Sequence, residues 1–338
     1  MNNKPLTYKN AGVSIANGEA LVDYLKQNNK AIGGFSGLFP IPTGYKKPMM
    51  VAGTDGVGTK ILVARNVGVL STVGIDLVAM VVNDLVVCGA KPLFFLDYYA
   101  MGELRLDEAK QILSGIIRGC EIGQMALLGG ETAEMPGLYA KGDYDLAGFG
   151  VGIVDADAVI DGSRIAEGDV VYGFASTGLH SNGYSLARKV LLEHARLQLG
   201  DKPESLGGRT LSDVMLEPTR IYVSLMDELL KSGVDVRGCA HITGGGLPGN
   251  LNRCLPKNVD ASLSKSSWDV PEIFTLIQTL GPVEDDEMLR TFNMGIGYCV
   301  VAPASAEQAV RTAADKSGNT MFVIGKIVSG EGNVRVEL

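Results

Sequence analysis

The stretch STVGIDLVAMVVNDLVVCGAKPLFFLDYY, residues 71–99, decides the fold of this chain. It opens with an apolar run that ends at Gly89 and Pro92, and its apolar positions cover the whole circumference of a helix. Residues 93–99 then have the aromatic composition of a strand. The stretch therefore predicts a largely buried helix followed by a strand, as in an α/β layer.

Helices and strands alternate along the rest of the chain. A helix is predicted from Asp107, and further helices are predicted at residues 184–197, 220–231, 271–280 and 306–317. Predicted strands are residues 126–128, 144–154, 169–175, 298–302 and 321–328. The turn-rich DGSRIAEGD predicts a boundary near 165–168, between domains 1–166 and 167–338. The predicted fold class is α/β (α+β), with two mixed α/β domains.

Composition narrows the class of protein. The 338 residues, 46% of them hydrophobic, are enough for two sizeable cores. A net charge of -8 without a Lys/Arg cluster disfavours nucleic acid or an anionic membrane as a partner. The polar first residues and the absence of a long apolar run lead us to expect a soluble, cytoplasmic protein. The five cysteines form no C-x-x-C pair, so we expect reduced core residues rather than disulfides or a zinc site.

The sequence GTDGVGTK, residues 53–60, almost matches a phosphate-binding P-loop. Thr59 and Lys60 have exchanged places relative to that motif, and a carboxylate, Asp55, lies inside the loop. A carboxylate repels a triphosphate unless a cation lies between them. The loop therefore binds either no phosphate or phosphate held through a metal ion.

Further acidic residues lie in the predicted buried helix. Asp76 and Asn83 are two helical turns apart and share a face, and Asp84 lies about a fifth of a turn from Asp76. A buried carboxylate costs several kcal/mol unless it is paired or bound to a metal. We expect a metal or ligand role, and the alternative is that Asp84 pairs with Lys60 or Arg65 in a structural network.

The sequence GGETAEMPG, residues 129–137, adds two carboxylates. A short apolar strand ends in two glycines, after which Glu131 and Glu134 would point at a cleft, although Gly-Gly-Glu also suits an ordinary turn. Taken together, Asp55, Asp84 and Glu131 predict a Mg²⁺ cluster for a polyphosphate.

Two loops of the second half suit an anionic ligand. STGLHSNGYSLAR, residues 176–188, and HITGGGLPGN, residues 241–250, each precede a predicted helix, where exposed N–H groups favour phosphate. The alternative for His180 is a capping or packing role. GGFSGLF, residues 33–39, is either a lid or a surface loop.

The motifs in this order resemble the phosphoribosylformylglycinamidine cyclo-ligase family. The resemblance is carried by YKNAGVSIANGEALV, GTDGVGTK, TVGIDLVAMVVNDLVVCGAKPLFFLDYYA, LLGGETAEMPG, YDLAGFGVG, GLHSNGYSLARK, PTRIY, HITGGGLPGNLNRCLP and RTFNMGIG. The segment between Leu25 and Phe35 is shorter than the basic segment typical of that family.

The resemblance implies an enzyme of purine biosynthesis. Such an enzyme uses ATP and Mg²⁺, and a monovalent cation is a possible further cofactor. It closes formylglycinamidine ribonucleotide into aminoimidazole ribonucleotide through an O-phosphorylated imidate. It also implies a homodimer whose N-terminal sheets pair into a shared barrel. The competing readings are a kinase similar to thiamine-phosphate kinase, which usually has Gly-Gly-Asp in place of Gly129, Gly130 and Glu131, and a non-catalytic maturation scaffold.

The resemblance also implies roles for individual residues. The catalytic residues would be His180, as proton shuttle or oxyanion contact, Lys60, as phosphate contact, and Asp84. The nucleotide site would comprise Asp55, Gly56, Gly58, Thr59, Lys60, Asp76, Asn83 and Glu131, with Asp55, Asp84 and Glu131 as metal ligands. The substrate site would comprise His180, Ser181, Asn182, His241, Thr243, Gly244 and Gly245.

Overall fold

The computed structural model describes residues 7–30, 32 and 36–337. Residues 33–35 of the predicted lid or loop at 33–39 lie outside this part of the chain. None of the described helices is both long enough and apolar enough to cross a bilayer.

The described residues form two mixed sets of helices and strands. The helices are α1 (Ile15–Asn28), α2 (Lys60–Val67), α3 (Ser71–Val86), α4 (Leu106–Ile122), α5 (Tyr184–Arg188), α6 (Leu211–Met215), α7 (Val223–Lys231), α8 (Gly246–Leu251), α9 (Glu272–Leu280), α10 (Asp285–Thr291) and α11 (Glu307–Lys316). The strands are β1 (Pro48–Gly56), β2 (Lys91–Met101), β3 (Ala126–Glu134), β4 (Tyr144–Asp155), β5 (Val170–Ala175), β6 (Gly238–His241), β7 (Val259–Ser264), β8 (Ile296–Ala302), β9 (Met321–Ser329) and β10 (Val334–Glu337). The predicted fold class, two mixed α/β units, is confirmed.

The first sheet has the strand order β1-β4-β2-β3, and only β2 and β3 within it run parallel. Helices α3 and α4 cover one face of this sheet, and α3 is buried along most of its length, as its apolar circumference predicts. The two helices approach closely because Gly74 and Gly115 lie at their contact. A Cβ on Gly115 would come within 1.9 Å of the backbone oxygen of Ser71.

Strand β3 is longer than the sequence predicted. It continues in register with β2 through Glu134, whereas the prediction had the chain leave the sheet at the two glycines after residue 128. The Glu134 carboxylate stabilises the end of this strand, because it accepts hydrogen bonds of 2.7 Å from the backbone N–H groups of Ser14 and Leu104. Glu131 consequently lies inside a strand and not in a loop.

The second sheet has the order β10-β7-β9-β5-β8-β6 and provides the framework for the loops of the second half. The GLHSNG loop connects β5 to α5, and the ITGGG loop connects β6 to α8. Helix α5 is shorter than predicted, because the chain changes to a π-helical turn over Lys189–His194. The domain bounds 1–166 and 167–338 stay a prediction.

Candidate functional site

A cavity of about 460 Å³ lies between the two sheets and is lined from both sides. We call it the interdomain cavity, and its lining residues are Asp55, Gly56, Val57, Gly58, Met80, Asp145, Leu146, Ala147, Ser181, Asn182 and Thr243. Six of the residues predicted from the sequence therefore meet around one space: Asp55, Gly56, Gly58, Ser181, Asn182 and Thr243.

Short polar contacts connect the loops around this cavity. The Ser181 hydroxyl donates to the backbone oxygen of Val57 at 2.8 Å. The Asn182 side-chain oxygen accepts the N–H of Gly244 at 3.1 Å, so that donor is already used within the protein. Thr59 is farther out, with its hydroxyl oxygen 3.3 Å from that of Ser185. The cavity walls are thus held by contacts between the two halves of the chain.

Asp84 lies at the end of α3 and pairs across the domain boundary. Its Oδ1 lies 2.8 Å from Nδ1 of His241, whose side chain is almost fully buried, while the Asp84 side chain is 55% exposed. The alternative partners proposed from the sequence are wrong, because Lys60 pairs with Asp76 and Arg65 pairs with Asp143. Asp84 thus remains accessible to solvent, although it is not among the residues that line the interdomain cavity.

Asp55 is half-buried at the end of β1. Its Oδ1 accepts the N–H of Gly56 at 2.7 Å. Burial raises the pKa of the Asp55 carboxyl, the negative charge of Asp84 raises it further, and His241 opposes the shift. A half-buried carboxyl whose charge is disfavoured by burial and by a neighbouring carboxylate provides an environment that a cation would stabilise.

Lys60 corrects the prediction of a phosphate contact. Its side chain is fully buried, and its ammonium lies 2.9 and 2.8 Å from the two carboxylate oxygens of Asp76. It also donates to the backbone oxygens of His180 at 2.9 Å and Glu217 at 2.7 Å, so its three donors are all used. Burial lowers the pKa of Lys60 and raises that of Asp76, and each partner opposes the shift of the other.

The polar face of α3 binds protein instead of nucleotide, which corrects a second prediction. Oδ1 of the fully buried Asp76 accepts the Thr219 N–H at 2.8 Å and its hydroxyl at 2.6 Å. Asn83 accepts the Tyr222 N–H at 2.9 Å and donates to the Arg220 oxygen at 2.8 Å. The segment 219–222, part of the PTRIY motif, therefore uses both side chains to attach the second domain.

His180 is also buried, and its catalytic role stays a prediction. Its ring is 1% exposed and packs against Gly297, where a Cβ would come within 2.4 Å of its Cε1. Nε2 accepts the N–H of Thr177 at 3.2 Å and lies 3.5 Å from that of Arg220, which places the proton of the neutral ring on Nδ1. Burial lowers the pKa of His180 well below 6.5, which favours the neutral ring at neutral pH.

Glu131 does not join Asp55 and Asp84 within one chain. In register, Glu131 pairs with Tyr98, a 42% exposed residue on the outer face of the first sheet. Asp55 instead pairs with Gly148, and a Cβ built on Gly148 would point toward Leu77 of α3. The two acids thus project from opposite faces. Within residues 7–30, 32 and 36–337, no three His, Cys, Asp or Glu side chains are placed to share a metal ion.

The sequence argument missed Asp97, in the middle of β2. Strand alternation places it on the same inward face as Phe95 and Tyr99, which are fully buried. Burial raises the pKa of the Asp97 carboxyl to about 7. The signal that could have revealed it is a carboxylate at an inward position of the apolar strand LFFLDYY, residues 93–99.

Solved structures share the fold of this chain at low sequence identity. A thiamine-monophosphate kinase from Stenotrophomonas maltophilia has a TM-score of 0.67 and 19% identity, covering 94% of this chain and 96% of that one. The hydrogenase maturation protein HypE in complex with ATP has a TM-score of 0.70 and 16% identity, covering 96% and 92%. These likenesses establish the architecture of two mixed α/β domains.

Comparisons of sequence identify the family more specifically than the fold does. Residues 42–154 match the N-terminal domain, and residues 166–337 the C-terminal domain, of the AIR synthase related proteins. The phosphoribosylformylglycinamidine cyclo-ligase of Myxococcus xanthus is 53% identical over 337 residues, covering 96% of this chain and 97% of its own. That of Thermosynechococcus vestitus is 49% identical, covering 97% and 98%. The chain therefore belongs to the phosphoribosylformylglycinamidine cyclo-ligase family.

Proposed function

We propose that this chain is an ATP-dependent cyclo-ligase that converts formylglycinamidine ribonucleotide into aminoimidazole ribonucleotide, with release of ADP and phosphate. Similarity of about 50% over nearly the whole length to cyclo-ligases supports this reaction. The interdomain cavity is the observation that locates the reaction in the molecule. There, the end of β1 with Asp55 lies next to the GLHSNG and ITGGG loops.

The chemical sequence follows from the bonds that must change. The formyl oxygen of the substrate attacks the γ-phosphorus of ATP and gives an O-phosphorylated imidate and ADP. A nitrogen of the same molecule then attacks that carbon, the C–O bond breaks, and phosphate leaves with the former amide oxygen. Ring closure is intramolecular, so the protein has to hold the substrate in a folded conformation.

Asp55 and Asp84 fit a Mg²⁺ ion that also binds phosphate oxygens. This ion usually takes one or two carboxylates and completes its octahedron with water and substrate phosphate oxygens. Asp55 and Asp84 provide two neighbouring carboxylates, which is the number that this ion usually takes from a protein. When bound, Mg²⁺ would neutralise the charge that develops during phosphoryl transfer.

The other predicted residues divide into two groups. Ser181, Asn182 and Thr243 line the cavity and are the substrate contacts we propose. Lys60 and His180 act as positioning residues, because the Lys60 ammonium holds the backbone oxygen of His180, next to Ser181. The burial of both side chains gives no support to the direct roles that the sequence predicts for them, in phosphate binding and proton transfer.

We also propose that the chain works as a homodimer in the cytoplasm. The outer face of the first sheet carries exposed apolar side chains, with Met50 at 58%, Tyr98 at 42% and Phe149 at 40% exposure. Exposed apolar side chains on one face of a sheet favour association. Pairing of two such faces would form the barrel that the family resemblance implies.

The test incubates the purified protein with ATP, Mg²⁺ and formylglycinamidine ribonucleotide and follows ADP release together with the aminoimidazole product. We expect both products in equal amounts and no ADP release without the ribonucleotide. ADP release with thiamine monophosphate instead would favour the kinase reading. ATP binding without turnover of either substrate would favour a maturation scaffold.

A further inference from the structure

The interdomain cavity contains a second acidic residue, Asp145, besides the Asp55 of the proposed metal site. Asp145 is the second residue of β4, and its buried neighbours in that strand place it on the exposed side. The pairing of β1 with β4 ends where Gly56 lies opposite Ala147, so β1 does not extend as far as Asp145. The loop after β1 and the cavity occupy that space. Asp145 therefore lies at the open end of the sheet, next to the loops of the second domain.

The Asp145 carboxylate has no cationic partner in the part of the chain that the structure describes. Its Oδ1 accepts the backbone N–H of Leu146 at 2.8 Å, and Oδ2 takes part in no hydrogen bond among the described residues. Arg65 borders a neighbouring cavity together with Asp145, but its guanidinium pairs with Asp143. One carboxylate oxygen of Asp145 is thus fully available to a ligand in the cavity.

The charge of the interdomain cavity favours a cationic group. Asp55 and Asp145 are the only ionisable side chains among the described residues that line it, and the second domain contributes the neutral Ser181, Asn182 and Thr243. Two carboxylates without a basic side chain beside them attract positive charge and repel phosphate. With Asp55 assigned to Mg²⁺, Asp145 is left for a second positive group.

The ribonucleotide substrate of the proposed reaction carries such a group. Its amidine is a strong base and is positively charged near neutral pH. A protonated amidine has N–H donors on both nitrogens, and a carboxylate accepts them in two charge-assisted hydrogen bonds, as it does those of an arginine guanidinium. The corresponding amide has an oxygen in place of one nitrogen, so it is neutral and presents an acceptor where the amidine presents a donor.

We propose that the Asp145 carboxylate binds the amidine of formylglycinamidine ribonucleotide and thereby distinguishes this substrate from the corresponding amide, formylglycinamide ribonucleotide. The assignment rests on the proposed function, because it concerns recognition of the substrate of that reaction. One nitrogen of the amidine forms the new bond of the ring, so the same contact also orients the nucleophile.

The experiment measures equilibrium binding of the two ribonucleotides by calorimetry at neutral pH. It uses the full chain with Mg²⁺ and a non-hydrolysable ATP analogue, so that no turnover takes place. We expect wild type to bind the amide about 100-fold more weakly than the amidine. The amide loses one charge-assisted hydrogen bond, and its oxygen faces the carboxylate.

Two substitutions assign the difference to Asp145. Asp145→Asn keeps an oxygen that accepts from the Leu146 N–H but removes the charge, so it should bind the amidine about 30-fold more weakly than wild type does. Its NH₂ group can donate to the oxygen of the amide, so the two ribonucleotides should then differ by less than about threefold. Asp143→Asn is the matched control, because Asp143 pairs with Arg65 and does not line the interdomain cavity. It should keep the difference of about 100-fold.

Equal affinity of wild type for the amidine and the amide overturns the inference, and this comparison needs no variant. A folded Asp145→Asn variant that weakens both ribonucleotides equally and keeps their difference also overturns it, since the residue would then act on the metal or on the shape of the cavity. Turnover of the amidine by wild type leaves the proposed function standing in both cases. If wild type binds neither ribonucleotide and does not turn over the amidine, the proposed function is rejected and the inference with it.

Discussion

Replacement of Lys60 by Met tests the buried contact that attaches the two domains. The methionine keeps much of the side-chain length but removes the ammonium group. Asp76 would then be a fully buried carboxylate without its counter-charge, and the backbone oxygens of His180 and Glu217 would lose their donor. Breaking a buried ion pair from one side costs about 3–5 kcal/mol, so we expect a loss of about 4 kcal/mol in the free energy of unfolding.

The assay is urea unfolding followed by far-UV circular dichroism and by the fluorescence of Trp268, the only tryptophan. Trp268 is buried, and its indole donates to the Met294 oxygen at 2.9 Å, so its emission reports on the second domain. Lys47→Met is the matched control, because Lys47 pairs with Asp157 at 2.9 Å on the surface, with both side chains mostly exposed. Its cost should stay below about 1 kcal/mol.

A second variant separates the loss of the pair from the loss of packing. In Lys60→Met with Asp76→Asn, the uncompensated charge is gone while an amide oxygen still accepts from Thr219, so more than half of the lost stability should return. The reasoning is refuted if Lys60→Met lowers the free energy of unfolding no more than Lys47→Met does. It is also refuted if the double variant loses as much free energy of unfolding as Lys60→Met and Asp76→Asn lose when their separate losses are added.

Three further predictions concern other parts of the chain. Because the folded-state pKa of Asp97 is about 7, above its ordinary value of 3.8, its contribution to stability should fall by about 3 kcal/mol from pH 5 to pH 8. Asp97→Asn should lack that fall in urea unfolding at the two pH values, and an equal fall would contradict the assignment. Phe149→Glu places a charge on the exposed outer face of the first sheet and should shift the mass by light scattering from dimer to monomer; an unchanged dimer would reject this interface. Asp55→Asn should raise the Mg²⁺ concentration needed for half-maximal turnover about tenfold or more, and an unaltered Mg²⁺ dependence would remove Asp55 from the metal site.

The sequence was sufficient for the fold class because its strongest patterns are local, but strands β1, β6, β7 and β10 were not predicted. The apolar circumference of residues 71–86 predicts burial of α3, and the alternation in β4 predicts its strand. The end of β3 was mispredicted because its continuation depends on pairing with β2 and on the Glu134 contacts to Ser14 and Leu104, which are distant in sequence. Such tertiary contacts override the turn preference of two glycines.

The candidate site was only partly predictable for the same reason. Helical spacing correctly placed Asp76 and Asn83 on one face, but it could not show that segment 219–222 of the other domain covers that face. For Lys60, the loop motif indicated a phosphate contact, and only the folded structure shows its three donors already in use. Strand alternation could have revealed Asp97, because an acid at an inward position in an apolar strand requires an explanation.

The most direct test of the proposed reaction follows one oxygen atom. The substrate, formylglycinamidine ribonucleotide, is labelled with ¹⁸O in its formyl group and converted by the protein with ATP and Mg²⁺, and the released phosphate is analysed by mass spectrometry. Attack of the formyl oxygen on the γ-phosphorus predicts one ¹⁸O atom in each phosphate formed. Release of the label into water, with unlabelled phosphate, would contradict the O-phosphorylated imidate and with it the proposed mechanism.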